Sequence, residues 1–184
     1  PFSPGANDNA SGVGVALALA ERALAEPLAR TELIIAFTGC EEVGCYGADA
    51  LLAALKAERA DRIHFTIDQV GGAGDNPGIV RGERFLVPAA SDPGLLAIAD
   101  AVIAAHPELE AGTRTLSGAY GELSLGVKHG FKSIALGAFS PAGDPGQWHR
   151  PTDTLAHVDE AVLARSEELA WLLLRGIDGE PAAG

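Results

Sequence analysis

At 184 residues, 47% hydrophobic and 21% charged, the chain has the make-up of one ordinary globular domain, not of a disordered segment. Its formal net charge of -12 and pI near 4.7 argue against a nucleic-acid partner, because no basic run exists to displace phosphate counterions. No apolar run approaches membrane-spanning length, which argues against a membrane partner. Arginine outnumbers lysine, and alanine and glycine are abundant, as in proteins of GC-rich bacteria. No signal-peptide pattern opens the chain. It starts at Pro1 on what reads as the middle of a motif, so a sizeable upstream portion is expected.

Taken in order, Gly5-Ala6-Asn7-Asp8-Asn9-Ala10-Ser11-Gly12 is small, polar and turn-rich. It leads into Val13 to Leu28, dense in Ala and Leu, a helix with Asn9 or Ser11 near its N-cap. Leu33 to Phe37 is a continuous apolar run, as expected of a strand buried on both faces. Glu41 and Glu42 follow directly, between Cys40 and Cys45, and Tyr46 to Arg59 then alternates at helical spacing. Ile63 to Asp68 reads as a strand ending in an acid. Gly71 to Gly82, with its glycines and proline, reads as a loop or short hairpin, and Phe85 to Val87 as a third strand.

Asp92-Pro93 is a strong helix start, and His106-Pro107 ends that helix. Thr113 to Thr115 reads as a short strand, Tyr120 to His129 as a short helix, and Ser133 to Phe139 as a buried strand. A Pro/Gly-rich loop from Pro141 carries Trp148, His149, Arg150 and Asp153. Asp159 caps a final amphipathic helix through Leu174, with Gly176 beyond its end. Alternating strands and helices without a linker argue for one α/β domain with a mostly parallel sheet.

In that architecture the loops after strands gather at one edge. Glu41, Glu42 and Asp68 lie at strand ends, and Asp8 and His149 lie in loops that can reach the same edge. Carboxylates and an imidazole suit Zn2+, singly or as a pair. A general base that is not itself a ligand is also needed, and two adjacent glutamates can divide those jobs because successive side chains point apart. Cys40 and Cys45 are compatible either with a short local disulfide or with two free thiols. His106 and His157 read as surface or capping residues.

The segments "GANDNASG", "FTGCEEVGCYGA", "HFTID" and "WHRPTDTLAHVD" resemble, in order and in strand context, the zinc aminopeptidases of the M28 metallopeptidase family. Each motif alone has little specificity; four in the same order, over nearly the whole chain, have much. The resemblance implies a three-layer α-β-α fold with a mixed, mostly parallel sheet, of which residues 1–184 would be the C-terminal major part, lacking the first strands. Asp8 then bridges two zincs, Glu41 is the general base, Glu42 and His149 bind one zinc, and Asp68 binds the other. A strained peptide bond after Asp8 is also implied. The implied substrate is a peptide with a free amino terminus, and relatives are often secreted. "SGAYGE" around Tyr120 does not match the sequence that relatives carry there.

One departure is plain: the family's second zinc takes a histidine upstream of the bridging Asp, and the first histidine here is His64. The second zinc site is therefore expected to be empty or weak, so that the chain holds one zinc or none and its activity is impaired. An unpaired, swap-prone sheet edge is expected too. Related dinuclear peptidases of families M20 and M42 fit less well. M20 enzymes insert a domain between the last Asp and His ligands, where this chain has elements of its main sheet, and "HRPTDT" favours M28 over M42. Single-zinc glutaminyl cyclases of the same fold, and a non-catalytic peptidase-like domain, are the rival functions.

Overall fold

The computed structural model describes residues 3–58, 62–143 and 147–179. Five strands form one mixed sheet: β1 (Ile63–Ile67), β2 (Asn76–Arg84), β3 (Ala89–Ala90), β4 (Gly112–Ser117) and β5 (Lys132–Phe139). β5 is central, parallel to β1 on one side and antiparallel to β2 on the other. β2 in turn pairs parallel with β4 and antiparallel with the two-residue β3. The helices are α1 (Gly12–Ala25), α2 (Tyr46–Glu58), α3 (Pro93–Ala105), α4 (Glu122–Lys128) and α5 (Glu160–Ile177). Arg59, the expected end of the second helix, lies outside the described residues.

Both faces of the sheet are covered, and the alternation along β5 shows it. Ile134 and Leu136 enter the main core with Leu19 of α1, Ala99 of α3 and Leu169 of α5. Ala135 points the other way, to Val80 and to Leu123 of α4. Ala48 and Leu52 of α2 meet Leu125 of α4 on a third cluster. A strand buried on two faces reads as a continuous apolar run, as β5 does. The result is a three-layer α-β-α arrangement.

Several expectations require correction. Leu33 to Phe37 is no strand: no ladder pairs it among the described residues, and Ile34 and Phe37 remain 47% and 55% exposed. An apolar run becomes a strand only where another strand takes its backbone groups. Among the described residues β1, at the end of the sheet, pairs with β5 alone. The glycine-rich stretch from Gly71 instead passes into the nine-residue strand β2. Gly78 belongs there because a Cβ would lie 2.8 Å from the Phe139 ring. Phe85 to Val87 form an exposed bend beyond it, and α5 runs through Gly176 to Ile177.

Two ends follow the sequence closely. The Asp92 carboxylate accepts N–H groups from Gly94 and Leu95 ahead of α3, and Asp159 accepts from Ala161 ahead of α5.

Candidate metal centre

Three segments meet at the edge of the sheet where β1 ends. The first is the irregular turn Ala6–Ser11, which bears Asp8. Its side chains bind the strand's continuation one peptide after another. Asn9 Oδ1 accepts from Gln69 N–H at 3.1 Å, Ser11 Oγ from Val70 N–H at 3.0 Å, and Asn7 Oδ1 from Gly71 N–H at 2.9 Å. Asn9 Nδ2 donates to Ile67 O, and Asn9 Oδ1 also receives Gly12 N–H at the start of α1. Small polar residues suit this work because their short side chains reach backbone groups nearby. Asp8 is thereby held near enough for its charge to act on Asp68, and the Asp8–Asn9 peptide bond is cis.

The second segment is the turn before α2, where Glu41 O accepts N–H groups from Gly44 and Cys45. Gly47 lies against the backbone of Gly39, since a Cβ there would sit 2.5 Å from Gly39 O. The Cys45 thiol donates to Glu41 Oε1 at 3.5 Å. Burial, and then the neighbouring Glu41 charge, push this thiol up to about 12, so it stays protonated and able to donate. The two cysteines are not bonded to each other. The third segment is the loop before α5, where the Trp148 and His149 rings meet at a tilt of 36° with centroids 4.5 Å apart.

These segments bring Asp8, Glu42 and His149 together. His149 Nε2 lies 2.9 Å from Glu42 Oε2 and 3.7 Å from Asp8 Oδ2, and one donor atom from each residue falls within 4.8 Å of the others. Asp68 stands outside that cluster, partly buried. Burial, and then the charges of Asp8 and Glu41, push its carboxyl up to about 7. Asp8 and Glu41 are also raised, each first by burial. Glu42 adds to both, while His149 pulls Asp8 back and the Cys45 hydrogen bond pulls Glu41 back. Carboxylates held this close repel one another, and a divalent cation relieves that repulsion. Two oxygens and an imidazole nitrogen suit zinc and leave a fourth position open.

The backbone is also forced here. Five non-glycine residues among those described have left-handed φ, and four of them border the site. Cys40 and Cys45 flank the glutamates, Gln69 follows Asp68, and His149 is itself one.

Three roles escaped the sequence. Asp153, the acid of "PTDT", accepts the backbone N–H groups of Asn7 and Asp8. Glu122 accepts a short hydrogen bond from Thr38, and its charge acts on both Asp68 and Glu41. Glu83, buried at the end of β2, accepts N–H groups from Gly121 and Ser124 and so holds the start of α4 in place. An acid at a helix start is readable, but which backbone it meets is not.

Comparison with known proteins gives the following. The sequence model of peptidase family M28 matches residues 1–174. The aminopeptidase YwaD of Bacillus subtilis (strain 168) is 40% identical over 73 residues, 39% of this chain and 16% of that protein. The structure of BSAP, a zinc aminopeptidase from Bacillus subtilis, superposes with a TM-score of 0.77 at 22% identity, over 96% of this chain and 43% of that one. LapB from Legionella pneumophila gives 0.77 at 18% identity, over 97% and 48%. A glutaminyl cyclase from Bacteroides thetaiotaomicron gives 0.65 at 18% identity, over 93% and 63%. The chain thus spans less than two thirds of each relative, and at these identities the superpositions show the shared fold.

Proposed function

The chain belongs to peptidase family M28, and from that premise we propose that it carries the zinc-binding and proton-transfer groups of an aminopeptidase, an exopeptidase that removes N-terminal residues from peptides. The observation that carries this reading is the convergence of Asp8, Glu42 and His149, with Glu41 beside them outside the donor set.

Asp8, Glu42 and His149 would hold a zinc ion. When bound, zinc polarises a carbonyl and makes water a stronger acid. Glu41 takes the proton of the attacking water and delivers it to the departing amine. Its carboxyl is suited to both steps because burial and the nearby acids raise its affinity for a proton above the ordinary glutamate range. Trp148 lies against His149 with its ring tilted by 36°. Asp68, with Asp8, offers two carboxylates to a second ion. That is one protein ligand short of an ordinary catalytic zinc site, so this position is weak in the chain as it stands.

A second reading draws on the same cluster. Single-zinc glutaminyl cyclases of this fold use an Asp, a second Glu and a late His, and Asp8, Glu42 and His149 are such a set. Zinc quantification, with assays for release of an N-terminal residue and for cyclisation of an N-terminal glutamine, separates the two. Peptide hydrolysis without cyclisation supports the aminopeptidase. Cyclisation without hydrolysis contradicts it.

A further inference from the structure

Asp153 is fully buried and ties together the two loops that bring Asp8 and His149 to the site. Its carboxylate accepts Asn7 N–H at 2.7 Å through one oxygen and Asp8 N–H at 3.0 Å through the other, while its backbone carbonyl accepts Ala6 N–H at 3.2 Å. Three successive amides of the Asp8 turn therefore end on one residue. Its own N–H donates to Arg150 O, the residue after His149. Asp153 thus links the Asp8 turn to the His149 loop through both its side chain and its backbone.

We propose that Asp153 is a positioning residue for the zinc site: it fixes the Asp8 backbone against the His149 loop and supplies a buried negative charge that the bound ion compensates. This rests on the zinc reading above. A carboxylate removed from water is destabilised, and two backbone donors offset only part of that. Among the described residues, no cationic side chain forms a hydrogen bond or ion pair with it. A divalent ion held on Asp8 is the cation that this charge can favour.

The chain contains its own control. Asp178 is equally well buried and accepts Ala29 N–H at 2.6 Å and Arg30 N–H at 2.7 Å, one on each oxygen. It pins the connection after α1 to the end of α5, far along the chain from any zinc donor. Thr31 adds further hydrogen bonds to Asp178, but both carboxylates divide two successive backbone amides between their oxygens, and of the two only Asp153 grips a loop that bears a zinc donor.

The test compares Asp153→Asn with Asp178→Asn. In each, the amide nitrogen faces a backbone N–H that the carboxylate oxygen had accepted, so a hydrogen bond and a charge are lost at nearly constant volume. Zinc affinity is measured by chelator competition, and melting is followed in metal-free buffer. Asp153→Asn should weaken zinc binding by about ten- to a hundredfold, the usual effect of losing such a supporting group. Asp178→Asn should lower the melting temperature and leave zinc affinity unchanged. If Asp153→Asn lowers melting but leaves zinc affinity at the wild-type value, the proposal is overturned and Asp153 is merely structural. If that variant does not fold, hydrogen exchange on the wild-type chain decides. Zinc should slow exchange of the Asn7 and Asp8 amides but not of Ala29 and Arg30, and equal effects overturn the proposal. A wild-type chain that takes up no zinc overturns the zinc reading itself, and this proposal with it.

Discussion

His149 Nε2 lies 2.9 Å from Glu42 Oε2, so the loop that precedes α5 and the turn that precedes α2 meet through a pair of side chains at the end of β1. Neither residue is enclosed, with side chains 48% and 58% exposed. An exposed contact of this kind contributes little to stability. Its meaning is chemical: with Asp8 it forms a set of donors open to solvent on one side.

Adjacent Glu41 and Glu42 have separate jobs in this account, and substitution tells them apart. Glu41→Gln keeps the shape of the side chain and an oxygen to accept the Cys45 thiol, but it cannot shuttle a proton. Zinc content should stay at the wild-type level while peptide turnover falls about 10²- to 10⁴-fold. Loss of zinc from Glu41→Gln, measured by elemental analysis, would mean that the two roles are exchanged.

Asn9 holds the Asp8 turn to the end of β1 through bonds to Ile67, Gln69 and Gly12. Asn9→Ala leaves two backbone N–H groups and one carbonyl without that partner. Unfolding in urea should show a loss of about 2–4 kcal/mol. A change within the scatter of surface substitutions would show that water replaces these bonds at no cost.

His64 sits in β1 behind Gly126 of α4, with Nδ1 lacking a hydrogen-bond partner among the described residues. Burial lowers its pKa to about 4. The unfolded chain takes up the proton near the ordinary value of about 6.5, while the folded chain refuses it until about 4. Stability is therefore intact above the unfolded value and falls with pH between the two, by about 3 kcal/mol in all. Denaturation curves from pH 7 to pH 4 in the presence of a chelator should show this loss, and His64→Gln should remove most of it. An unchanged slope in His64→Gln would assign the acid sensitivity to the carboxylates instead.

Elements governed by local chemistry were legible in the sequence. The Asp92-Pro93 start of α3 and the Asp159 cap of α5 need only neighbouring residues, and β5 announces itself by an uninterrupted apolar run. What the sequence did not show depends on distant partners. Leu33 to Phe37 has the composition of a buried strand, but among the described residues no strand pairs with it to complete the ladder. β2 looks like a loop because Gly78 and Gly82 reflect what packs on them, the Phe139 ring and the Ala89 carbonyl, not local flexibility. At the site, the ligand types and their order could be read along the chain. The grip of Asp153 on the Asp8 turn could not, because it joins a carboxylate to two backbone amides that carry no side-chain signature.

The most direct measurement of the central claim is zinc bound per chain, by elemental analysis after dialysis, in the wild type, Glu42→Ala and His149→Ala. The account predicts one tightly held zinc in the wild type, and in each variant little or none, with each variant melting close to the wild type in metal-free buffer. Zinc retained in full by His149→Ala, or two tightly held zincs in the wild type, would contradict it.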